Sequence, residues 1–119
     1  MVRLADKMGI LVWEEVPVYW LIDFSSESVL QNSKNQLSEV IKRDKNRASV
    51  IIWSVANETP VSDVRNKFLA NLIDHARSLD ATRLMSAALM HRDIKGISTI
   101  DDQIGEKLDI VSFNQYLGW

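Results

Sequence analysis

The chain has 119 residues, 46% hydrophobic and 25% charged, the size and composition of one globular domain. Its formal net charge of −2, from 14 basic and 16 acidic residues, gives no drive toward nucleic acid or an anionic membrane. The absence of cysteine excludes disulfides and thiolate metal sites, and no apolar run reaches transmembrane length.

Residues 1–9 are amphipathic and charged, without the apolar core of a secretory leader, so a soluble chain is expected and its compartment is left open. Residues 2–8 read as the end of a helix closed by Gly9 in a left-handed cap, so the chain opens inside an element. Ile10-Leu11-Val12-Trp13 suits a short buried strand, and Glu14-Glu15 and Val16-Pro17 end it. The loop over 18–26 carries Tyr19, Trp20 and Phe24, which either line a pocket or cover the end of the core. Ser25 or Ser26 caps a helix whose face is Leu30, Leu37 and Ile41, with Val40 alongside, and which ends near 43–46. The basic run 42–47 is interrupted by Asp44 and reads as a solvated helix C-terminus rather than a nucleic-acid patch.

A strand follows over roughly 49–56. Thr59 is the expected N-cap and Pro60 the expected first residue of a helix over roughly 61–79, with Val64, Phe68, Leu72, Ala76 and Leu79 on its buried stripe and Leu69 and Ile73 widening it. Residues 84–90 read as a third strand, 91–99 as a polar loop, 101–108 as a short helix and 109–114 as a fourth strand. Strands alternating with helices predict βα units, a parallel sheet and right-handed crossovers.

Ligands of parallel α/β sheets sit at the carboxyl ends of the strands. Those ends offer Glu14 and Glu15, Asn57 and Glu58, Met90 and His91, and Asn114, Gln115 and Tyr116. The set lacks a glycine-rich phosphate loop and a nucleophile-elbow serine, which argues against nucleotide and serine acyl-transfer chemistry. A zinc site built from a strand-end histidine and glutamate is a lesser alternative, and His75 reads as a helix-surface residue. Carboxylates, amides and aromatics suit sugar binding and cleavage. Glycoside hydrolysis needs two carboxyl groups flanking the scissile bond, one of them protonated to assist the leaving oxygen. On chemistry alone Glu58 is a candidate for that acid, and Asn57-Glu58 merely closing a strand ahead of a helix is the other reading.

The stretch Asp44-Lys45-Asn46-Arg47-Ala48-Ser49-Val50-Ile51-Ile52-Trp53-Ser54-Val55-Ala56-Asn57-Glu58 closely resembles the acid/base signature of glycoside hydrolase family 2. That family includes β-galactosidases, β-glucuronidases and β-mannosidases. Leu4-Ala5-Asp6-Lys7-Met8-Gly9-Ile10-Leu11-Val12-Trp13-Glu14-Glu15 is similar to the family's second helix and third barrel strand, and 109–119 resembles its sixth strand and the Asn-x-Tyr-x-Gly-Trp segment after it. The resemblance covers essentially the whole chain. It implies an α/β fold, part of a (β/α)8 TIM barrel holding strands three to six, with residues 1–119 a single fragment of the catalytic domain.

By the same resemblance Glu58 is the general acid/base and Asn57 hydrogen-bonds the sugar 2-hydroxyl. Tyr116 matches the tyrosine that contacts the nucleophile, Asn114 and Trp119 match pocket-lining positions, and Glu15 matches a pocket carboxylate. The family's nucleophile glutamate ends strand seven and falls past Trp119, as does the Asn-x-Lys element that reads a glucuronate carboxylate. Arg47-Ala48 stands where the family often has His-Pro, ahead of the strand and away from the chemistry. Ser-Val-Ala-Asn-Glu is closer to the β-glucuronidase branch than to the β-galactosidase branch. The implied activity is a retaining β-glycosidase with a carbohydrate substrate and no metal or organic cofactor. The alternatives are a β-galactosidase-type member, a non-catalytic truncated α/β module that pairs with a second copy through open sheet edges, and a different enzyme on the same barrel face.

Overall fold

A computed structural model describes residues 1–116 and 118 of the chain. In chain order the elements are α1 (Val2–Met8), β1 (Val12–Glu15), α2 (Glu27–Asp44), β2 (Val50–Asn57), α3 (Asp63–Leu79), β3 (Leu84–Leu89), β4 (Arg92–Ile94), β5 (Ile97–Thr99), a 3-10 turn (Gln103–Lys107) and β6 (Ile110–Phe113). Strands β1, β2, β3 and β6 form one sheet in that order, with every neighbouring pair parallel. This is the sheet that the βα alternation predicts, and all four carboxyl ends therefore emerge on one edge.

Gly9 closes α1 at φ 68, with its N–H on the Ala5 carbonyl, a conformation that costs glycine no Cβ clash. Ser26 caps α2 by accepting from the Val29 N–H. The apolar faces of α2 and α3 both cover the same side of the sheet. Leu37 and Ile41 from α2, and Phe68, Leu69, Leu72, Ile73 and Ala76 from α3, pack with Trp53, Val55, Met85, Ala87 and Leu89 in one core. On the opposite side the register sets Trp13 beside Ile52, Glu15 beside Ser54, and Ser112 beside Ala88. That side mixes serines and alanines with Trp13, Ile52 and Leu84, and Trp13, Glu15 and Leu84 are exposed on it.

Several expectations shift. The first strand runs two residues later than the apolar run suggests, because Trp13, Glu14 and Glu15 pair with Ile52, Trp53 and Ser54 and so join the ladder. The cap of α3 is Ser62, whose Oγ accepts from the Arg65 N–H at 3.2 Å, and Thr59 is instead fully buried. Val64, expected in the apolar stripe, is exposed, while its neighbour Arg65 is at 0% exposure. The expected polar loop over 91–99 contains an antiparallel hairpin, β4–β5, turned at Lys95 and Gly96 with φ 52 and 79. His75 is half-buried, with its Nε2 2.7 Å from Ser38 Oγ across the α2–α3 contact. Among the described residues no helix is long and apolar enough to cross a membrane.

The amino ends of the strands are tied by side-chain carboxylates. Asp6 accepts from the N–H and Oγ of Ser49. Asp109 accepts from the Met85 N–H at 2.7 Å. Asp80 is buried and accepts from Trp53 Nε1 at 3.0 Å, from the N–H and Oγ1 of Thr82, and from Arg83. Burial alone would raise the Asp80 pKa, but the bonds from Thr82, Trp53 and Arg83 outweigh it and hold the carboxyl well below its ordinary value. A depressed carboxylate adds stability above its unfolded pKa of about 3.9 and loses that contribution as pH falls. Asp80→Asn is therefore expected to lower stability by about 1–3 kcal/mol at neutral pH. The gap to wild type should narrow when denaturant melts are repeated near pH 3, and a gap independent of pH would refute the linkage.

Candidate active site

Four strand ends converge on a cleft of about 300 Å³ lined by Trp13, Glu15, Asn57, Ala88, Ser112, Phe113 and Asn114. Parallel pairing explains the convergence: Glu15 ends β1, Asn57 ends β2, and Asn114 follows β6. The two amides meet across β3, where Asn114 Nδ2 donates to Asn57 Oδ1 at 2.8 Å. That bond occupies the carbonyl oxygen of Asn57 and leaves its NH2 group to donate elsewhere. Glu15 is held by Ser54 Oγ at 2.5 Å and by Trp13 Nε1 at 3.2 Å, both on the same carboxylate oxygen.

Glu58 stands one residue past the end of β2, half-buried, with φ 49. Its N–H donates to the Ala88 carbonyl at 2.8 Å, so its backbone is fastened to β3 at a point where the β2–β3 register is already irregular. A non-glycine residue in the left-handed region is uncommon, and such residues cluster at functional sites. Ahead of it, the Asn57 N–H donates to the Val18 carbonyl, which brings the loop after β1 against the end of β2. His91 packs its ring on Phe113 at 4.7 Å between centroids and so buttresses the wall of the cleft.

Of the residues expected at the site, Glu15, Asn57 and Asn114 line the cleft, while Glu58, the residue after Asn57, is not among its lining residues. Tyr116 lies past the last strand and is exposed. Trp119 lies outside the described residues. Of the loop aromatics, Phe24 packs on Phe68 at 5.3 Å and so covers the core, while Tyr19 and Trp20 are exposed. Sequence reasoning did not find Trp13, Ser54, Ser112 or Phe113 as site residues. Alternation along β1 and β6 was the signal that could have found Trp13 and Ser112, since it puts Trp13 with Glu15 and Ser112 with Asn114.

A larger cleft of about 490 Å³ lies elsewhere, lined by Met1, Val2, Arg3, Glu14, Arg43, Asp44 and Arg47. It is formed between α1, β1 and α2, and Glu14, Arg43 and Asp44 pair with one another within it. Arg43 bonds Glu14 at 2.7 Å and Asp44 at 2.6 Å. Burial first, then the Asp44 carboxylate, pushes Glu14 up, against the pull of Arg43. The smaller cleft gathers residues from all four sheet strands, and the larger one does not. Among the described residues no group of three histidines or carboxylates is placed to hold a metal ion.

The comparison with known families accords with this geometry. The model for the TIM barrel domain of the glycosyl hydrolases family 2 matches residues 1–119. The chain belongs to glycoside hydrolase family 2. Its sheet is accordingly part of a TIM barrel wall, and its strand-end cleft faces the side on which such barrels carry their sites. Among curated proteins, a beta-glucuronidase from Chlorocebus aethiops is 31% identical over 121 residues, covering 98% of this chain and 18% of that protein. Among solved structures, a family 2 beta-galacturonidase from Eisenbergiella tayi, bound to galacturonate, superposes with a TM-score of 0.82 at 26% identity over 99% of this chain and 21% of that one. A beta-D-glucuronidase from Dictyoglomus thermophilum superposes with a TM-score of 0.77 at 30% identity, covering 99% of this chain and 22% of that one. The chain thus spans about a fifth of the length of these glycoside hydrolase relatives.

The left-handed backbone at Glu58 has a consequence for stability. Replacing a side chain there with glycine relieves the Cβ clash, against a smaller loss from the freer unfolded chain. Glu58→Gly is expected to be more stable than Glu58→Ala by about 1 kcal/mol, the reverse of the usual order within regular structure. Parallel thermal melts decide it, and an Ala variant equal to or better than the Gly variant would show that the position is unstrained.

Proposed function

We propose that this chain supplies the acid/base half of a retaining β-glycosidase that acts on uronic acid glycosides, β-glucuronides first. The observation that carries the reading is Glu58 itself. It sits on the family's signature, one residue beyond a cleft-lining amide, in a backbone conformation that an ordinary strand exit does not require. The names of the relatives support the substrate class, since beta-glucuronidases and a beta-galacturonidase both act on sugars that carry a carboxylate.

In this mechanism the protonated Glu58 carboxyl donates to the glycosidic oxygen while a second carboxylate attacks the anomeric carbon, so that the C–O bond breaks as the glycosyl-enzyme ester forms. Glu58, now ionised, takes a proton from water, and the water oxygen displaces the enzyme carboxylate and releases the sugar. Asn57, its carbonyl engaged by Asn114, offers its NH2 group to the sugar 2-hydroxyl. Glu15, held by Ser54 and Trp13, accepts from a further sugar hydroxyl. The family segment assigns Tyr116 the contact to the nucleophile and Trp119 a substrate-binding role. Neither a metal nor an organic cofactor enters these steps.

In the full-length protein Glu58→Gln is expected to lower kcat/KM for alkyl β-glucuronides by about 10²–10⁴-fold, the range of general acid catalysis. Activated aryl glucuronides, whose leaving groups need no proton, should keep most of theirs. Equal losses on both substrates would remove Glu58 from the acid role. The second carboxylate is assigned, by the family pattern, outside this stretch. The isolated 119-residue chain should therefore release no aryl product from an aryl β-glucuronide. Turnover by the pure chain that vanishes in Glu58→Ala would overturn that assignment.

A further inference from the structure

Against Thr59, the residue after Glu58, the chain buries an ion pair that the chemistry above does not use. The Arg65 and Asp102 side chains are both at 0% exposure, and two bonds of 2.7 Å join the guanidinium to the two carboxylate oxygens. Two further donors are also taken. Arg65 Nη1 donates to Asn66 Oδ1 at 2.8 Å, and Arg65 Nε donates to Thr59 Oγ1 at 2.8 Å. Thr59 is at 0% exposure and follows Glu58 in the chain. Asp102 in turn accepts from the Ile104 N–H and caps the 3-10 turn that leads into β6.

A buried ion pair is a weak device for stability alone, because desolvating two charges offsets most of their attraction. What such a pair does well is fix geometry, through the planar fork of the guanidinium. Here the geometry in need of fixing is adjacent. A left-handed glutamate persists only where its surroundings over-determine it. On one side the Glu58 N–H is fastened to Ala88. On the other side Thr59 is fastened to Arg65, and Arg65 is locked by Asp102.

We propose that Arg65 is a positioning residue which, through Thr59 Oγ1, holds Glu58 in its left-handed conformation and so aims the acid/base carboxyl, with Asp102 fixing the guanidinium. The inference rests on Glu58 being the acid/base of the proposed reaction. Arg65 touches neither substrate nor reacting atoms and acts through the backbone of the 58–59 peptide. The same clamp ties the segment after β2 to the 3-10 turn that precedes β6.

Three variants of the full-length protein test it: Thr59→Val, which keeps shape and leaves the ion pair intact, Arg65→Lys, which keeps charge and loses the fork, and Glu58→Gln as reference. The readout is kcat/KM on an alkyl β-glucuronide and on a dinitrophenyl β-glucuronide, with Tm recorded for each. A misaimed acid slows only the substrate that needs a proton. Thr59→Val is expected to lose about tenfold or more on the alkyl substrate and little on the dinitrophenyl one, a misplacement effect of the size such geometry carries. Arg65→Lys should show the same split where it folds, and Thr59→Val carries the test where it does not. Loss of equal size on both substrates, or no loss on either, overturns the clamp. If Glu58→Gln shows the split and Thr59→Val does not, the clamp fails alone. If Glu58→Gln itself treats both substrates alike, the acid assignment fails and the clamp falls with it.

Discussion

Parallel pairing of β1, β2, β3 and β6 is the constraint on which the rest depends. Antiparallel neighbours would send alternate carboxyl ends to opposite edges and scatter Glu15, Asn57 and Asn114 over both. Parallel neighbours collect them, although these residues are up to about a hundred positions apart in the chain. The sheet stays parallel because α2 and α3 return the chain along its helix-covered side, each with an apolar stripe packed on Trp53, Val55, Met85, Ala87 and Leu89. Packing on one side of the sheet thus decides the chemistry available at its edge.

The two edges divide their tasks. At the amino ends the polar side chains are spent on structure: Asp80 on Trp53 and Arg83, Asp6 on Ser49, Asp109 on the Met85 backbone. Every one of these carboxylates already has its partners. At the carboxyl ends Asn57 and Asn114 satisfy each other in part and keep donors and acceptors facing the cleft. The departure from relaxed backbone at Glu58 lies at this second edge. A rigid amino edge under a strained carboxyl edge is the arrangement expected of a scaffold that must hold a few groups in place.

Much of this was legible in the sequence, and the parts that were not share a cause. Apolar runs and helical stripes placed three helices and the four sheet strands, because burial of one face leaves a period in the sequence. Gly9 and the cap near Ser26 were legible for local reasons. Thr59 misled because Thr-Pro is a sound local start signal, yet Thr59 is drawn into the core by Arg65, six residues on, and the cap passes to Ser62. Arg65 was invisible for the same reason. A charged residue beside an apolar stripe reads as solvated until its partner is known, and the partner, Asp102, is 37 positions away. The hairpin over 92–99 was read as loop because its strands are three residues each and polar.

The sequence by itself determined the alternation of strands and helices, the family, and the identity of the strand-end residues, since each follows from local pattern or from a contiguous signature. The tertiary structure decided which of those residues share a cleft, which carbonyl Asn114 occupies, and how Glu58 leaves its strand. Those are outcomes of contacts between distant segments, and no local preference encodes them. Nothing in Ala56-Asn57-Glu58-Thr59 favours a left-handed glutamate. It is imposed by Ala88 on one side and by the buried Arg65–Asp102 pair on the other.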